Sequence, residues 1–372
     1  MKLLLLFAAL VAVLYAKTFQ MNARSVGSLR ARLIASGQYR QYLNLQRMRR
    51  IQILRKGSQP FLDYTDDFYV GIVDVGTPEQ NVTLVLDTGS SNLWVIDDAC
   101  RSEACNGFPQ SGYTKHKFNT KMSMTFKKEE RSFSLFYGSG SCNGYLATDA
   151  VSFAGLKILK QEFGVATTIA DVFGYQPVDG ILGLGWPDLA VEKVKPSAGG
   201  TGGLITYGDF DLKNCAKDVT YVKLSSLTYW QFPIQGFSVG NFSQTETEQV
   251  ISDTGTSWIG APSSVVDAVA REIGAEFDSY NQLYTVPCST MKEKPDLVFT
   301  IDGVKYNIPS VEYILDLELG NDKCAITFFG MDSGGFGPSW ILGDTWIRTY
   351  CNIHDIGEKR IGFARAIHEE LK

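Results

Sequence analysis

The sequence predicts an all-β fold built from two similar lobes, each sandwich- or barrel-like. From Phe61 onward, short runs of Val, Ile, Phe, Tyr and Thr are separated by glycine-containing turns, as in "FYVGIVDVGTPEQNVTLVLDTG". Such runs are typical of strands, and they do not alternate with helical segments as they would in an α/β protein. The 372 residues suffice for two domains, and 44% hydrophobic residues argue against disorder.

A long-range repeat predicts the two lobes. The tripeptide Asp-Thr-Gly occurs at residues 87–89 and again at 253–255, each time after an apolar run. Each copy is followed by an apolar block with glycine, "VDGILGLG" at 178–185 and "SWILGD" at 339–344. A given tripeptide occurs by chance in roughly one chain in ten or twenty of this length, so two copies in matching contexts indicate a duplicated unit.

We therefore divide the chain after its amino-terminal part into a first lobe, residues 61–200, and a second lobe, residues 201–372. The glycine-rich stretch "KPSAGGTGG" is the expected loop between them. One helix stands out in the second lobe, over residues 261–275. Pro262 lies near its start and Gly274 at its end, as the preferences of helix termini require.

The first 16 residues, "MKLLLLFAALVAVLYA", predict a secretory signal peptide that is cleaved after Ala16. A lysine precedes an apolar run that ends in small residues, and the run is too short to span a bilayer. No later stretch approaches a membrane span, so we expect a secreted or lysosomal protein. Two sequons, at Asn81 and Asn241, are candidate glycosylation sites in such a protein.

Residues 17–60 predict a basic pro-segment. Residues 17–62 carry ten Lys or Arg and no acid, whereas residues 63–372 carry 24 basic and 40 acidic residues. A basic arm could bind nucleic acid, but in a secreted chain the acidic body that follows is the better partner. We expect ion pairs to hold this segment, helical over 23–56, on the body. Acid should release it by protonating the carboxylates.

The paired Asp-Thr-Gly turns carry the predicted chemistry. Two turns related by a pseudo-twofold axis can bring Asp87 and Asp253 side by side. Two carboxylates at hydrogen-bond distance cannot both ionise easily, so one holds a proton and the pair supplies an acid and a base. Such a pair can deprotonate a water while it protonates a carbonyl oxygen. Peptide hydrolysis would follow without a metal or other cofactor.

The residues around the two aspartates suit supporting roles. Threonines can hold the turns together, hydroxyl groups can bond the outer carboxylate oxygens, and glycines let backbone and water come close. The threonines are Thr88 and Thr254, the hydroxyl residues are Ser90 and Thr256, and the glycines are Gly89 and Gly255.

The motifs "DTGSSNLWV", "DTGTS" and "WILGD" together resemble those of pepsin-like (A1-type) aspartic proteases, nearest to cathepsin D-like and nematode secreted enzymes. The resemblance runs from Phe61 to His368. It implies two β-barrel-like lobes with a catalytic cleft between them, Asp87 and Asp253 as the catalytic pair, polypeptide substrates and a monomer. Pepsin itself is known to share one proton between its two aspartates, so this sharing is here what the resemblance implies.

The resemblance also implies a flap over the cleft. In "SFSLFYGSGSC", residues 132–142, it places the flap tyrosine at Tyr137, followed by Gly138 and Ser139. The glycines suit a hairpin tip, and a lid would exclude water, although an ordinary surface hairpin is the alternative. In the family the indole N–H of Trp94 supports this tyrosine. Further candidates for the cleft lining, which favours large apolar substrate residues, are Tyr229 and Ile341.

Seven cysteines in a secreted chain are candidates for disulfides, and the odd number leaves at least one outside an internal pair. The resemblance implies two bridges, Cys100–Cys105 and Cys288–Cys324. The sequence leaves three cysteines unassigned: Cys142, Cys215 and Cys351.

One stretch departs from the family pattern. Between "GWPDLAVEKVKP" and "GGLITYGDF" the family has roughly one helix and one strand more, and "SAGGT" stands in their place. Loss of a strand would leave an open edge in the first lobe. This departure supports an alternative function, a catalytically impaired, protease-like secreted binding protein.

Other hydrolase mechanisms fit the sequence poorly. "MDSGGFG", residues 331–337, resembles a serine-protease motif with Ser333 as the nucleophile, but that chemistry needs a histidine base. The three histidines, His116, His354 and His368, lie in no recognisable base motif. A zinc hydrolase motif of the His-Glu-x-x-His type is absent from the sequence.

Overall fold

The structure is a computed structural model that describes residues 19–25, 29–43, 69–137, 140–190, 204–331 and 337–367. These residues form mostly β-strands, which confirms the all-β prediction. The predicted signal peptide, the glycine-rich loop at 195–203 and the rival nucleophile Ser333 lie outside the described residues.

The amino-terminal segment is folded against the rest of the chain. Strand β1 (Phe19–Asn22) pairs antiparallel with β10 (Leu204–Tyr207), and β2 (Arg24–Ser25) pairs with β3 (Tyr69–Val75). Helix α1 (Leu29–Ala35) follows, and residues 39–43 are again helical. The helix predicted over 23–56 is therefore wrong at its start, because cross-strand partners satisfy the backbone there.

One sheet of eight strands occupies the first half of the chain, in the order β2-β3-β4-β9-β5-β8-β7-β6. Helix α2 (Asp171–Tyr175) and three short 3-10 turns, Glu103–Asn106, Pro109–Ser111 and Pro187–Leu189, connect or flank the strands. The remaining six strands are β4 (Gln80–Asp87), β5 (Leu93–Ile96), β6 (Lys127–Phe136), β7 (Ser141–Phe153), β8 (Leu156–Ile169) and β9 (Gly180–Gly183).

Four sheets occupy the second half among the described residues. A three-stranded sheet contains, in order, β11 (Thr220–Lys223), β26 (Arg360–Arg365) and β25 (Tyr350–Asp355). A five-stranded sheet contains β12 (Gln231–Ile234), β15 (Glu248–Ser252), β24 (Trp340–Leu342), β16 (Ile259–Ala261) and β23 (Phe328–Gly330).

Two four-stranded sheets and three helices complete this half. The first sheet contains, in order, β14 (Phe242–Gln244), β13 (Gly236–Val239), β19 (Leu297–Ile301) and β20 (Val304–Ile308). The second contains β17 (Glu276–Asp278), β18 (Leu283–Pro287), β22 (Lys323–Ile326) and β21 (Ile314–Leu315). The helices are α3 (Ser263–Ile273), α4 (Ser310–Tyr313) and α5 (Asp344–Ile347), with a 3-10 turn at Cys288–Glu293.

The duplicated motif folds the same way twice. Strand β4 lies parallel to β9, which is antiparallel to β5. In the same way, β15 lies parallel to β24, which is antiparallel to β16. Each glycine block thus fits between the strands before and after an Asp-Thr-Gly. A Cβ at Gly180 or Gly343 would come closer than 3.0 Å to the carbonyl oxygen of Trp94 or Thr256, respectively, which explains the glycines.

The helix predicted over 261–275 is confirmed as α3. Its apolar face is buried in the core of the second half, with Val265, Val266 and Val269 inside. Gly274 ends the helix in the left-handed region at a φ of 68°, where a side chain would add strain. The helix therefore packs against the second lobe and does not contribute to the paired Asp-Thr-Gly turns.

Three disulfides are present. Two are the bridges that the resemblance implies, Cys100–Cys105 and Cys288–Cys324. The third joins Cys215 to Cys351, a pair that the sequence could not assign. Cys142 is free and buried on β7, just after the flap.

The Cys215–Cys351 bridge should make the largest contribution to stability of the three, because it spans 136 residues of sequence. Replacing both with alanine should lower the free energy of unfolding by about 2–5 kcal/mol in guanidinium titrations. Cys142→Ala is the control, with an expected change of about 1 kcal/mol. Equal stability of the double variant and the control would contradict this role.

Candidate active site

The two Asp-Thr-Gly turns meet at the centre of the molecule. Asp87 ends β4 and Asp253 follows β15, so each aspartate lies at the carboxyl end of a buried strand. Asp87 is 7% exposed and Asp253 is 8% exposed. The structure therefore brings together the two carboxylates that the repeat predicts.

Mirrored hydrogen bonds between threonines join the turns. The Thr88 N–H donates to Oγ1 of Thr254 at 3.0 Å, and the Thr254 N–H donates to Oγ1 of Thr88 at 2.9 Å. Each hydroxyl then donates across the interface, Thr88 to the Ser252 carbonyl at 3.1 Å and Thr254 to the Leu86 carbonyl at 2.5 Å. Both threonines are buried, so these bonds are shielded from water and fix the two turns to each other.

Each carboxylate is held by its own turn in the same way. The Gly89 N–H donates to Asp87 Oδ1 at 2.9 Å, and the Ser90 hydroxyl donates to Oδ2 at 2.5 Å. For Asp253 the corresponding donors are the Gly255 N–H at 2.8 Å and the Thr256 hydroxyl at 2.7 Å. These donors fix the orientation of both carboxylates.

The two glycines allow the carboxylates to approach. A Cβ at Gly89 would lie closer than 3.0 Å to the Asp253 carboxylate, and a Cβ at Gly255 would lie equally close to that of Asp87. Any side chain at either position would push the turns apart. Each glycine is therefore required by the aspartate of the other turn.

The electrostatics of the pair favour a retained proton. Burial is the main cause that raises the pKa of Asp87 to about 8, and the negative charge of Asp253 raises it further. The hydrogen bonds from Ser90 and Gly89 oppose this rise. In this closed state the pair keeps one proton at acid and neutral pH, which is how two neighbouring carboxyl groups avoid a double charge.

The predicted flap tyrosine and the tryptophan expected to support it are in contact. Strands β6 and β7 form a hairpin, and the Trp94 indole N–H donates to the Tyr137 hydroxyl at 2.9 Å. Phe173 of α2 packs edge-on against both rings, with centroid distances of 5.3 Å to Trp94 and 6.1 Å to Tyr137. Gly138 and Ser139, at the predicted tip, lie outside the described residues.

The wall on the Asp253 side is apolar and aromatic. Tyr229 and Ile341, both predicted for the cleft, belong to one cluster with Trp258. Burial raises the pKa of Tyr229 to about 12, and the charges of Asp253 and Asp87 contribute, which places this phenol near the pair. Trp258 was not among the predicted residues, although it stands only five positions after Asp253.

A buried lysine supports the flap side of the site, and sequence reasoning missed it. Lys115 Nζ donates to the carbonyl oxygens of Phe173 at 2.6 Å, Gln176 at 2.5 Å, and Val178. Burial lowers the pKa of Lys115 to about 7, and the Asp179 carboxylate opposes this shift. The lysine thus fixes α2, which carries Phe173, and the segment that follows this helix. No motif in "YTKHKF" signals this role.

The two halves also meet beside the pair. The Trp230 indole N–H donates to the Leu184 carbonyl at 3.1 Å, and Trp230 packs on Trp186 at 5.1 Å. His354 lies against Trp230 at 4.5 Å, and burial lowers its pKa to about 3. This histidine is neutral at ordinary pH and packs against an indole ring.

Helix α1 lies between the two halves. Leu29 and Leu33 are buried in the cluster that contains Trp94 and has Tyr137 at its margin. Ala31, on another face of the helix, packs on the cluster of Trp258. The amino-terminal segment therefore covers the space next to the aspartate pair.

The remaining predicted residues lie elsewhere. Asn81 and Asn241 are exposed, and the Asn241 side chain donates to Glu272 at 2.9 Å. Among the residues that the structure describes, the one grouping with metal-ligand chemistry is Cys288, Asp316 and Cys324. Its two sulfurs are already joined in a disulfide. In the same set of residues, no helix has the length and hydropathy to cross a bilayer.

Comparison with known proteins agrees with this geometry. The family described as eukaryotic aspartyl protease matches residues 68–199 and 196–366. The chain belongs to this family. It is an aspartic-type endopeptidase with the bilobal, all-β fold that the motifs imply.

Individual relatives cover nearly the whole protease. It is 57% identical over 389 residues to aspartic protease 1 of Caenorhabditis elegans, covering 98% of each chain. It is 33% identical over 369 residues both to cathepsin E of Cavia porcellus and to pepsin A of Bos taurus, covering 91% of this chain and 92% and 96% of theirs. The first alignment is longer than this 372-residue chain, so that relative carries residues that this protease lacks.

The raised pKa of Asp87 predicts how stability depends on pH. The folded protease binds more protons than the unfolded chain between pH 3.8 and about 8, so the stability of the folded state falls as pH rises through this window. Asp87→Asn removes the free-energy cost of ionising this buried carboxyl group. The variant should be more stable than wild type at pH 7, on the order of 2 kcal/mol, and equally stable near pH 4.

Thermal unfolding of the full chain would measure this difference, with intact mass determined after each scan to show that the amino-terminal segment is still attached. Glu246→Gln, at an exposed carboxyl group, is the control and should change little at either pH. The same gain in stability at pH 4 and pH 7 would show that ionisation of Asp87 is not the cause.

Proposed function

We propose that the protein is the zymogen of an endopeptidase that hydrolyses polypeptides at acid pH through Asp87 and Asp253. The observation that carries the proposal is the mirrored set of hydrogen bonds between the two Asp-Thr-Gly turns. It holds two carboxyl groups against each other in a buried site, and burial together with the neighbouring charge favours one retained proton.

In the proposed mechanism the ionised carboxylate takes a proton from a water molecule, and the protonated carboxyl donates to the carbonyl oxygen of the peptide. The water oxygen forms a bond to the carbonyl carbon, which becomes tetrahedral. When the carbon–nitrogen bond breaks, the leaving amine takes a proton from one carboxyl group of the pair. A hydroxyl group of the tetrahedral carbon returns its proton to the other carboxylate as the carbonyl group re-forms. Neither aspartate is assigned as the base, because the two titrate together.

Residues 17–60 are proposed as a pro-segment that inhibits the site within the same chain. Support comes from α1, which packs its leucines on the flap side of the cleft and Ala31 on the opposite wall. A polypeptide substrate cannot occupy the same space. The two proposed lobes, residues 61–200 and 201–372, would then enclose the substrate after the segment has left, in a monomer.

An acid optimum follows from opening the cleft. Burial is the largest cause of the high pKa of Asp87, and departure of the pro-segment would admit water to the pair. Hydration favours the ionised form, so the pKa of Asp87 should fall toward the acid range in the open enzyme. The singly protonated pair would then be most populated under acid conditions.

Secretion into the extracellular space or the lysosome is part of the proposal. It rests on the signal sequence at 1–16, the disulfides, and exposed side chains at both sequons, Asn81 and Asn241. The alternative function, an impaired protease-like binding protein, gains no support from the family match, which covers both halves of the chain.

The activity itself is tested by cleavage of a denatured protein substrate at about pH 3.5 and at pH 7. We expect cleavage at acid pH only, with a loss of at least a thousandfold in Asp87→Asn and in Asp253→Asn, since each removes one member of the acid–base pair. Asp209→Asn, at an exposed aspartate, is the control. An optimum at pH 7 or above would refute the acid mechanism.

If a chain shown by circular dichroism to be folded cleaves nothing, the binding-protein alternative is supported instead. If the chain is unfolded, the absence of cleavage is explained by the shortened first lobe.

Inhibition by the pro-segment is tested at Leu33, which is buried on the flap side. Leu33→Asn places an amide in an apolar contact, so α1 should dock more weakly. We expect a lower melting temperature for the full chain and faster cleavage of a short peptide during the first minutes after acidification. Ala35→Asn, which adds the same side chain on the exposed end of α1, is the matched control. Identical behaviour of the two variants would contradict the docking role of α1.

A further inference from the structure

One arginine of the amino-terminal segment is buried. Arg30 of α1 is 3% exposed, and its guanidinium carbon lies 3.7 Å from the ring centroid of Trp258 and 5.6 Å from that of Tyr39. Arginine is almost never fully buried without a partner that compensates its charge. At this distance the face of an indole attracts a cation.

The indole belongs to the part of the protein that remains after the segment departs. Trp258 is 2% exposed here, stands five residues after Asp253, and shares its cluster with the cleft residues Tyr229 and Ile341. Its surroundings are apolar, so the long stem of an arginine can lie along them while the guanidinium covers the ring. Removal of α1 would open this position to the cleft.

We propose that Trp258 forms a subsite that accepts an arginine or lysine side chain of the polypeptide substrate. In the folded chain, Arg30 occupies this subsite as a substrate side chain would. The inference rests on the proposed function, because only an active cleft presents the subsite to substrates.

A cation–π subsite suits the proposed acid conditions. A carboxylate that recognised arginine would lose its charge as pH falls toward its pKa, and recognition would weaken. The indole face does not titrate, and the guanidinium stays charged at every relevant pH. Trp258 can therefore bind a basic side chain at the pH at which the aspartate pair works.

The cleft otherwise favours apolar groups. The flap side presents Trp94, Tyr137 and Phe173, and these residues favour large apolar side chains next to the cut. A basic residue would be accepted only where the chain passes Trp258. The substrate class is therefore a polypeptide that combines apolar residues at the cut with one Arg or Lys at a fixed distance from it.

The first test uses peptides cleaved by the acid-activated full chain. Each position from four before the cut to three after it is replaced in turn by arginine or by citrulline, which has nearly the same shape without the charge. At one position kcat/KM should be about threefold to thirtyfold higher for arginine than for citrulline. This ratio should fall to about one in Trp258→Leu and stay intermediate in Trp258→Phe.

The matched control is Tyr280→Leu, at a 61% exposed aromatic residue that also has an arginine of the segment near it, Arg40 at 5.7 Å. It should leave the arginine-to-citrulline ratio unchanged. A ratio of one at every position in wild type, or a preference that survives in Trp258→Leu, would overturn the subsite. No cleavage of any peptide by wild type would instead refute the proposed function.

A second test needs no activity. In the full chain with Asp87→Asn, which prevents self-cleavage, melting temperatures are compared for Arg30→Leu, Trp258→Phe and the two together. If the ring holds the cation, Arg30→Leu should lower the melting temperature less when Trp258 has been replaced, because the contact is already weakened. Additive shifts in this cycle would show that Trp258 does not bind the arginine.

Discussion

The structure depends on the hydrogen bonds that Thr88 and Thr254 exchange across the centre of the molecule. These bonds join two turns that are 166 residues apart in sequence, so they join the two halves of the chain at the same place. Because both threonines are buried, breaking one bond would leave polar groups unsatisfied away from water. The position of one carboxylate is therefore fixed by the fold of the other half.

This constraint explains the pairing of strands around the site. Each Asp-Thr-Gly strand is held by a glycine block that approaches it in parallel, and the glycines are required because neighbouring carbonyl groups leave no room for a Cβ. The same closeness places each aspartate against the glycine of the other turn. Burial and mutual repulsion then raise the pKa of Asp87, which is the property that acid–base chemistry needs.

Two different kinds of contact close the cleft in this state. Leucines of α1 fill the flap side through apolar packing, and Arg30 lies on the indole of Trp258. Neither the leucine side chains nor the indole face carries a group that titrates. Ion pairs were the contacts expected from the charge asymmetry, and the structure adds contacts of these two other kinds.

The sequence alone determined the all-β class, the duplicated unit, the aspartate pair and helix α3, because each leaves a local pattern: alternating apolar residues, a repeated tripeptide, or Pro and Gly at helix ends. The sequence also contains Trp258 and Lys115, but no motif or spacing in it predicts a role for either residue. Their roles arise from residues distant in sequence, Arg30 on one indole and three carbonyl groups around one amine. The tertiary structure likewise decided that Cys215 pairs with Cys351, because geometry and not spacing selects disulfide partners.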